Sequence, residues 1–286
     1  MTTPSEPAPG STAHLEALAA LETFRLFVRD WMSANAVIPD DIPAPVRGQP
    51  MSPEVKQWVV EFRRKLGTNG WIAPNWPRRY GGGGLPAAYA QVVQRELAKQ
   101  SIPPIYVSIM HAAALRVFGT EEQKTTLLKS LLQGEITMCH AFNERTHGSD
   151  ISANTTEAVR DGDDYIITGA KDYITSILAP DVVLTLAVTN PDAPRNQRMS
   201  LIAVKTDTEG VEIRPENLLL GGREHKFLYT DASVSRENLV GREGQGIEIA
   251  EFMVDIERGG MATVPLDRQQ EVEQREAEFE AAESAQ

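Results

Sequence analysis

Near Glu135 the spacing of apolar residues in this 286-residue chain shifts from a helical to a strand-like period, and after Gly241 it shifts back. That double change excludes a single bundle or a single sheet, because a helix buries a stripe repeating every ~3.6 residues whereas a strand buries alternate residues. Two cores are expected at this length. Between His14 and Gln133, Ala17, Leu21, Phe24, Val28 and Trp31 fall on one helical stripe, and Val55, Trp58, Val59, Phe62 and Leu66 on another. Pro- and Gly-rich stretches at Pro39–Pro53 and Gly67–Pro86 break the pattern, and further helices are predicted over Ala87–Gln100, Pro104–Phe118 and Glu121–Leu132. Thr120, with Gln123 three residues on, opens the last of these with a capping-box pattern.

From Glu135 to Asn238 the strand-like runs are Thr137–Phe142, Thr155–Val159, Tyr165–Thr168, Val182–Val188, Ser200–Val204 and Phe227–Tyr229. Turn-forming pieces such as Asp161-Gly162-Asp163-Asp164 and Asn190-Pro191-Asp192 separate them, which predicts a small antiparallel barrel or sandwich rather than a parallel sheet. After Gly241, Ile247, Ala250, Met253 or Val254 and Glu257 step down one side of a helix that stops near Gly259-Gly260. The segment Arg268–Gln286 holds six Glu, two Arg and only Val272 and Phe279 as sizeable apolar side chains, and reads as a solvated helix or frayed tail.

Forty acidic residues against 28 basic give a formal charge of −12, which repels nucleic-acid backbones and anionic membrane surfaces. No apolar run approaches the ~18–20 residues that span a bilayer. Met1–Ala13 lacks the basic and apolar regions of a secretory signal and reads as a disordered tail, and a single Cys139 fits a reducing, cytoplasmic setting. His14, His111, His140, His147 and His225 form no metal-binding spacing, so no metal site is expected, and His147 and His225 read as loop or surface residues. Gly81–Gly84 follows no convincing strand and matches no phosphate-loop order, so it reads as a flexible turn, and Gly241–Gly246 as a helix start.

Two segments carry more. In Cys139-His140-Ala141-Phe142-Asn143-Glu144-Arg145-Thr146-His147-Gly148-Ser149-Asp150 a strand runs into a loop of small polar groups able to offer N–H donors and a hydroxyl to an anion. In Asp161-Gly162-Asp163-Asp164-Tyr165 through Lys171-Asp172-Tyr173-Ile174-Thr175-Ser176, Tyr173 and Thr175 stand two apart and share one face of a strand. In this order, the pair resembles the C-x-x-x-T-E-P-x-x-G-S-D and D-G-x-x-Y-x-x-x-G-x-K-x-[W/F/Y]-I-T segments of the acyl-CoA dehydrogenase family of flavoproteins. Trp71–Pro77 with Tyr80 and the glycine run, Gly119–Lys124, and Val234–Gly241 are similar to three further family segments, so the resemblance extends from Glu22 to Arg258. Asn143, Arg145, Ser176 and Ser235 depart from it, standing where the family usually has Thr, Pro, Asn and Pro.

The resemblance implies an α+β chain: a tail (residues 1–13), an N-terminal all-α helical domain (14–134), a middle antiparallel β-barrel domain (135–240) and the start of a C-terminal helical domain with its acidic tail (241–286), a domain that family members continue much further. It implies FAD as cofactor, with His140, Phe142, Asn143 and Ser149 lining it and Tyr173, Ile174 and Thr175 covering its ring. It implies an acyl-CoA substrate near Ser149, Asp255 and Arg258, with Glu257 as the catalytic base, its position matching that of one family subgroup. The expected reaction is α,β-desaturation of the thioester. The expected partners are an electron-transfer flavoprotein or similar acceptor and, in a homo- or hetero-oligomer, another acyl-CoA dehydrogenase-like chain that completes the site. A catalytically silent binding subunit is the alternative, and flavin-dependent monooxygenation a more distant one.

Overall fold

The computed structural model describes residues 10–42, 51–105, 109–216 and 224–259, together with Gln274 and Ala277. The acidic segment Arg268–Gln286 therefore lies almost wholly outside the described residues. Two compact units emerge, residues 1–105 with 132–135, and 106–131 with 136–286. No described helix is long and apolar enough to cross a membrane.

The first unit contains α1 (Thr12–Asn35), α2 (Pro53–Thr68) and α3 (Ala87–Ala98). Ser11 and Ser52 cap the first two by accepting from the N–H groups of His14 and Val55, and Pro53 adds a first-turn residue that needs no donor partner. The predicted stripes converge on an aromatic core. Trp58 stacks on Phe62 at 5.0 Å, and Trp31 meets Trp71 edge-on at 4.9 Å. The glycine run is tightly packed rather than flexible. Gly82, Gly83 and Gly84 donate to the carbonyls of Pro77, Ala73 and Trp76, so these N–H groups are spent within the loop and cradle no phosphate.

The second unit begins with α4 (Ile109–Phe118), followed by α5 (Glu121–Gln123), a π turn (Lys124–Leu128) and α6 (Lys129–Leu132). The capping box at Thr120 is formed, and the Gln123 carboxamide also donates to the carbonyls of Glu237 and Leu239 at 2.7 and 2.9 Å, tying this helix start to the end of the sheet.

The sheet has eight strands: β1 (Met138–Ala141), β2 (Glu157–Asp161), β3 (Asp164–Thr175), β4 (Val182–Val188), β5 (Met199–Lys205), β6 (Val211–Pro215), β7 (Glu224–Ser235) and β8 (Leu239–Val240). Its order is β6-β7-β3-β2-β4-β5-β8, with β1 also on β4. The expected antiparallel pairing holds for most neighbours, but the sheet is not the closed barrel expected. No pairing joins β6 to β8 among the described residues, because β8 is two residues long and the chain turns at once into the glycine turn before α7. Two parallel pairings also appear. β1 occupies Val182–Thr185 of β4 and β2 touches the same strand only at Val188, so both use successive stretches of β4 and the chain between them leaves the sheet as a loop. β6 and β8 escaped the sequence reading because one is short and half-exposed and the other is barely a strand.

β3 carries two register shifts, at Ile167/Gly169 and Lys171/Ile174. Gly169, at φ 149°, sits where a Cβ would come within 2.8 Å of the Thr156 backbone, so only glycine allows the loop to return this close to β3. The helix α7 (Gly246–Gly259) packs on β4 and β5 and against α4. Its first residue touches the sheet directly: a Cβ on Gly246 would lie 2.7 Å from Leu186 Cδ1 and 2.8 Å from the Met199 carbonyl oxygen.

Gly246→Ala is expected to push α7 off β5 and to destabilise the chain by about 1–3 kcal/mol, the usual cost of forcing volume into a packed site. A urea melt checks this, and an unchanged midpoint would show that the contact yields freely.

Candidate functional site

A cavity of about 490 Å3 opens in the second unit, lined by β1 and the residues that flank it (Thr137, Phe142 and Asn143), the end of β3, the segment after β3, the start of α4 and the last turn of α7. Seven of the residues singled out from the sequence meet there: His140, Phe142, Asn143, Tyr173, Ile174, Thr175 and Glu257. Ser149, Asp255 and Arg258 are exposed and lie outside its lining. Among the described residues no group of His, Cys, Asp and Glu could hold a metal ion.

Each wall follows from a local cause. Tyr173 and Thr175 are both exposed and Ile174 is buried, the alternation expected of a strand. Tyr173, however, has a positive φ of 61° at the second register shift, a left-handed conformation that an L-residue adopts at a cost. The Glu216 carboxylate holds it there by accepting the Tyr173 N–H at 2.9 Å. Arg145 in turn lies 3.1 Å from Glu216 and 3.3 Å from Asp172. Arg145, one of the four residues that depart from the family pattern, thus braces the carboxylate that holds Tyr173.

The opposite wall depends on Glu144. This side chain is buried, and its two oxygens accept from the N–H of Thr155, the hydroxyl of Thr155 and the N–H of Thr156 at 2.8–2.9 Å. Lys171 of β3, fully buried, reaches it at 3.0 Å and also donates to the Phe142 carbonyl at 3.4 Å. Burial pulls the Glu144 pKa up, but the Lys171 charge and the Thr155 and Thr156 hydrogen bonds outweigh it and hold the carboxyl down at about 2. Burial likewise brings the Lys171 ammonium down to about 8, against the opposing pull of Glu144. Asn154, also fully buried, donates its carboxamide to the same Phe142 carbonyl. The pair therefore closes the loop that leaves β1 and fixes where Phe142 and Asn143 point.

At the floor, His111 from α4 approaches His140 from β1, Nε2 to Nδ1, at 3.1 Å. The His140 ring also lies 4.5 Å from that of Phe142. Burial lowers the pKa of both imidazoles, and the Glu257 carboxylate works against that for His140. Cys139 beside them is a buried thiol pushed up to about 12 by desolvation.

His111 and the Glu144–Lys171 pair were not among the candidates from sequence. The pair did carry a signal, one acid and one base embedded in the two informative segments. His111 offered only its place in an apolar helix, beside Ala112, Ala113 and Ala114. His225, read as a loop or surface residue, lies half-buried on β7.

The side chains of Asn143 and Thr175 have no hydrogen-bond partner among the described residues. Apolar side chains flank these polar groups at Phe142, Ile174 and Leu178, a combination suited to a planar heteroaromatic ligand.

Comparison with known proteins places this arrangement. The sequence model described as acyl-CoA dehydrogenase, N-terminal domain, matches residues 46–135, and that of the acyl-CoA dehydrogenase middle domain matches residues 139–232. A curated relative, acyl-CoA dehydrogenase FadE26 of Mycobacterium tuberculosis, is 31% identical over 198 residues, covering 68% of this chain and 50% of the relative. Among solved structures, the Tcur3481-Tcur3483 steroid ACAD superposes with a TM-score of 0.68 at 29% identity over 86% of this chain and 63% of that one. The ChsE4-ChsE5 complex of Mycobacterium tuberculosis gives 0.63 at 26% identity, over 82% and 59%. The chain spans about half the length of the curated relatives it matches.

Lys171→Met leaves the Glu144 carboxylate buried without its cation and is expected to cost about 3–5 kcal/mol in a urea melt. Because the folded-state pKa of Glu144 lies at about 2, below its ordinary 4.5, the unfolded chain binds more protons between these values. The stability Glu144 contributes is thus complete above pH 4.5 and is lost as pH falls toward 2. Urea midpoints at pH 7, 4.5 and 3 should show this decline, and Glu144→Gln should flatten it.

Proposed function

Because the chain belongs to the acyl-CoA dehydrogenase family, we propose that it carries the cofactor wall and the base of a site that desaturates an acyl-CoA thioester between Cα and Cβ. The observation that carries this reading is that Glu257 lines the same cavity as Phe142–Asn143 and Tyr173–Thr175. FAD fits these residues: Asn143 and Thr175 supply the unpartnered hydrogen-bonding groups, Tyr173 and Phe142 planar rings and Ile174 an apolar wall. When bound, it supplies the two-electron acceptor for the hydrogen that leaves Cβ as hydride.

The chain's own part is proton transfer and positioning. Glu257 takes the α-proton onto a carboxylate oxygen, and the electrons of that C–H bond form the new double bond as the β-hydrogen departs. Thr175 and Asn143 would hold the cofactor by hydrogen bonds, and the apolar walls would exclude water from its face.

A base for so weak an acid works best when desolvated, because removing water lifts a carboxylate toward neutral pH. Glu257 is exposed among the described residues, so the reading includes a covering element. A second acyl-CoA dehydrogenase-like chain would supply it, as the two-component descriptions of the Tcur3481-Tcur3483 and ChsE4-ChsE5 neighbours suggest. An electron-transfer flavoprotein or similar acceptor would then reoxidise the flavin, in the cytoplasm where the Cys139 thiol stays reduced. The same exposure favours a second reading, a family member that binds without turnover and serves as a subunit.

The chain purified with its companion is expected to show bound flavin absorbance that bleaches on adding acyl-CoA, and the chain alone to bleach far more slowly. Glu257→Gln should slow bleaching by about 10²–10⁴, the typical contribution of a general base, while flavin content stays the same. Flavin that is bound but never bleached would favour the silent subunit, and undiminished bleaching in the variant would remove Glu257 from the chemistry.

A further inference from the structure

The His111–His140 contact contains more information than its length. One nitrogen of the pair must donate and the other accept, so only two neutral arrangements exist. If His140 Nδ1 donates, His111 must accept at Nε2 and carry its own proton at Nδ1. That Nδ1 is buried and has no hydrogen-bond partner in the described residues, and a buried N–H without an acceptor is among the rarest defects in folded proteins. If instead His111 Nε2 donates, the orphaned Nδ1 is only a lone pair, which is the cheaper defect. His140 then accepts at Nδ1 and must carry its proton at Nε2. No described residue accepts from that Nε2, and the ring lines the cavity that also holds Glu257.

We infer that His111 locks His140 as a neutral Nε2–H donor facing the Glu257 cavity, making His140 a positioning residue for that carboxylate. Protonating His140 would need a hydrogen at Nδ1, which His111 could accommodate only by moving its own proton to the buried, partnerless Nδ1. The lock therefore also keeps His140 uncharged. The titratable groups lining the cavity are His111, Cys139, His140, Tyr173 and Glu257, and Glu257 is the one carboxylate among them. No hydrogen bond joins His140 to Glu257 among the described residues, so the neutral donor acts across the shared cavity: it stabilises the ionised carboxylate once the two are drawn together, without the fixed positive charge that would suppress its basicity. Its part in proton abstraction rests on the reading of Glu257 as base, whereas the tautomer does not.

The test is two-bond ¹H–¹⁵N NMR of histidine-labelled full-length chain, assigned with His140→Phe and followed from pH 8 to 5. The wild type should show His140 protonated at Nε2 and deprotonated at Nδ1, with no titration at the ordinary 6.5. His111→Leu should release it to a mixture of tautomers that titrates closer to 6.5. His111→Gln, whose carboxamide can donate in place of Nε2, should restore the lock. An Nδ1–H tautomer in the wild type, or a spectrum unchanged in a folded His111→Leu, would overturn the inference. If His111→Leu fails to fold, the wild-type tautomer and His111→Gln decide alone. In the loaded complex, His140→Phe should shift the acid limb of the kcat/KM pH profile upward, and an unmoved limb would remove the positioning role while leaving Glu257→Gln free to judge the base.

Discussion

A lysine with no solvent exposure, meeting a carboxylate 3.0 Å away, holds the functional half of this molecule in shape. Two charges taken out of water are costly, and the cost is tolerable only when further hydrogen bonds satisfy them. Glu144 meets that condition with three donors from Thr155 and Thr156, and these lie at the far end of the loop that Glu144 itself begins. The pair is thus a clasp. It shuts a loop that the sheet holds only near its start, where the Asn143 carbonyl accepts the Asp172 N–H of β3 at 3.0 Å, since β1 and β2 use different stretches of β4. Phe142 and Asn143 reach the cavity because the loop is closed behind them.

The opposite wall is held by a second electrostatic device of different character. Tyr173 occupies a strained backbone conformation and stays there through Glu216, which Arg145 in turn contacts. Arg145 is largely exposed, so its ion pairs are screened by solvent and are worth little to global stability. Their effect is local, to bias one carboxylate toward one N–H. The buried clasp and the exposed brace are therefore not equivalent: the first decides whether the loop forms, the second how a single ring is presented.

The sequence disclosed the parts whose cause is local. β4 was legible to the residue, because a strand buried along its whole length reads as an unbroken run of apolar side chains. The capping box at Thr120 and the step from Ile247 to Glu257 were legible for the same reason, each being a short-range pattern. What stayed hidden was non-local. Nothing near Val188 announces that β2 will touch β4 there alone, and nothing near His111 announces a second histidine 29 residues on at 3.1 Å. Barrel closure failed for a related reason: it depends on whether the last strand is long enough to reach the first, and a two-residue β8 has no periodicity to read. Of the candidate site, six of the seven residues that share the cavity came from a resemblance carried by two segments and Glu257 from a match on the later helix, while the groups that hold them in place came only from the fold.

Desolvation acts on the cavity in one consistent direction. Displacing water raises a carboxylate's pKa and lowers that of an imidazole, so an occupant of the cavity makes an acid more basic and a histidine more firmly neutral. Glu257 and His140 face the same space and so respond together. A lysine or arginine in place of His140 would oppose this, since its charge would hold the carboxylate ionised and weaken it as a base. A neutral imidazole pair, backed by the small side chains of Ala112 to Ala114 that let α4 approach closely, leaves the tuning to whatever fills the cavity. The chemistry of such a site would then be switched on by its own substrate and covering partner rather than by any residue that is permanently charged.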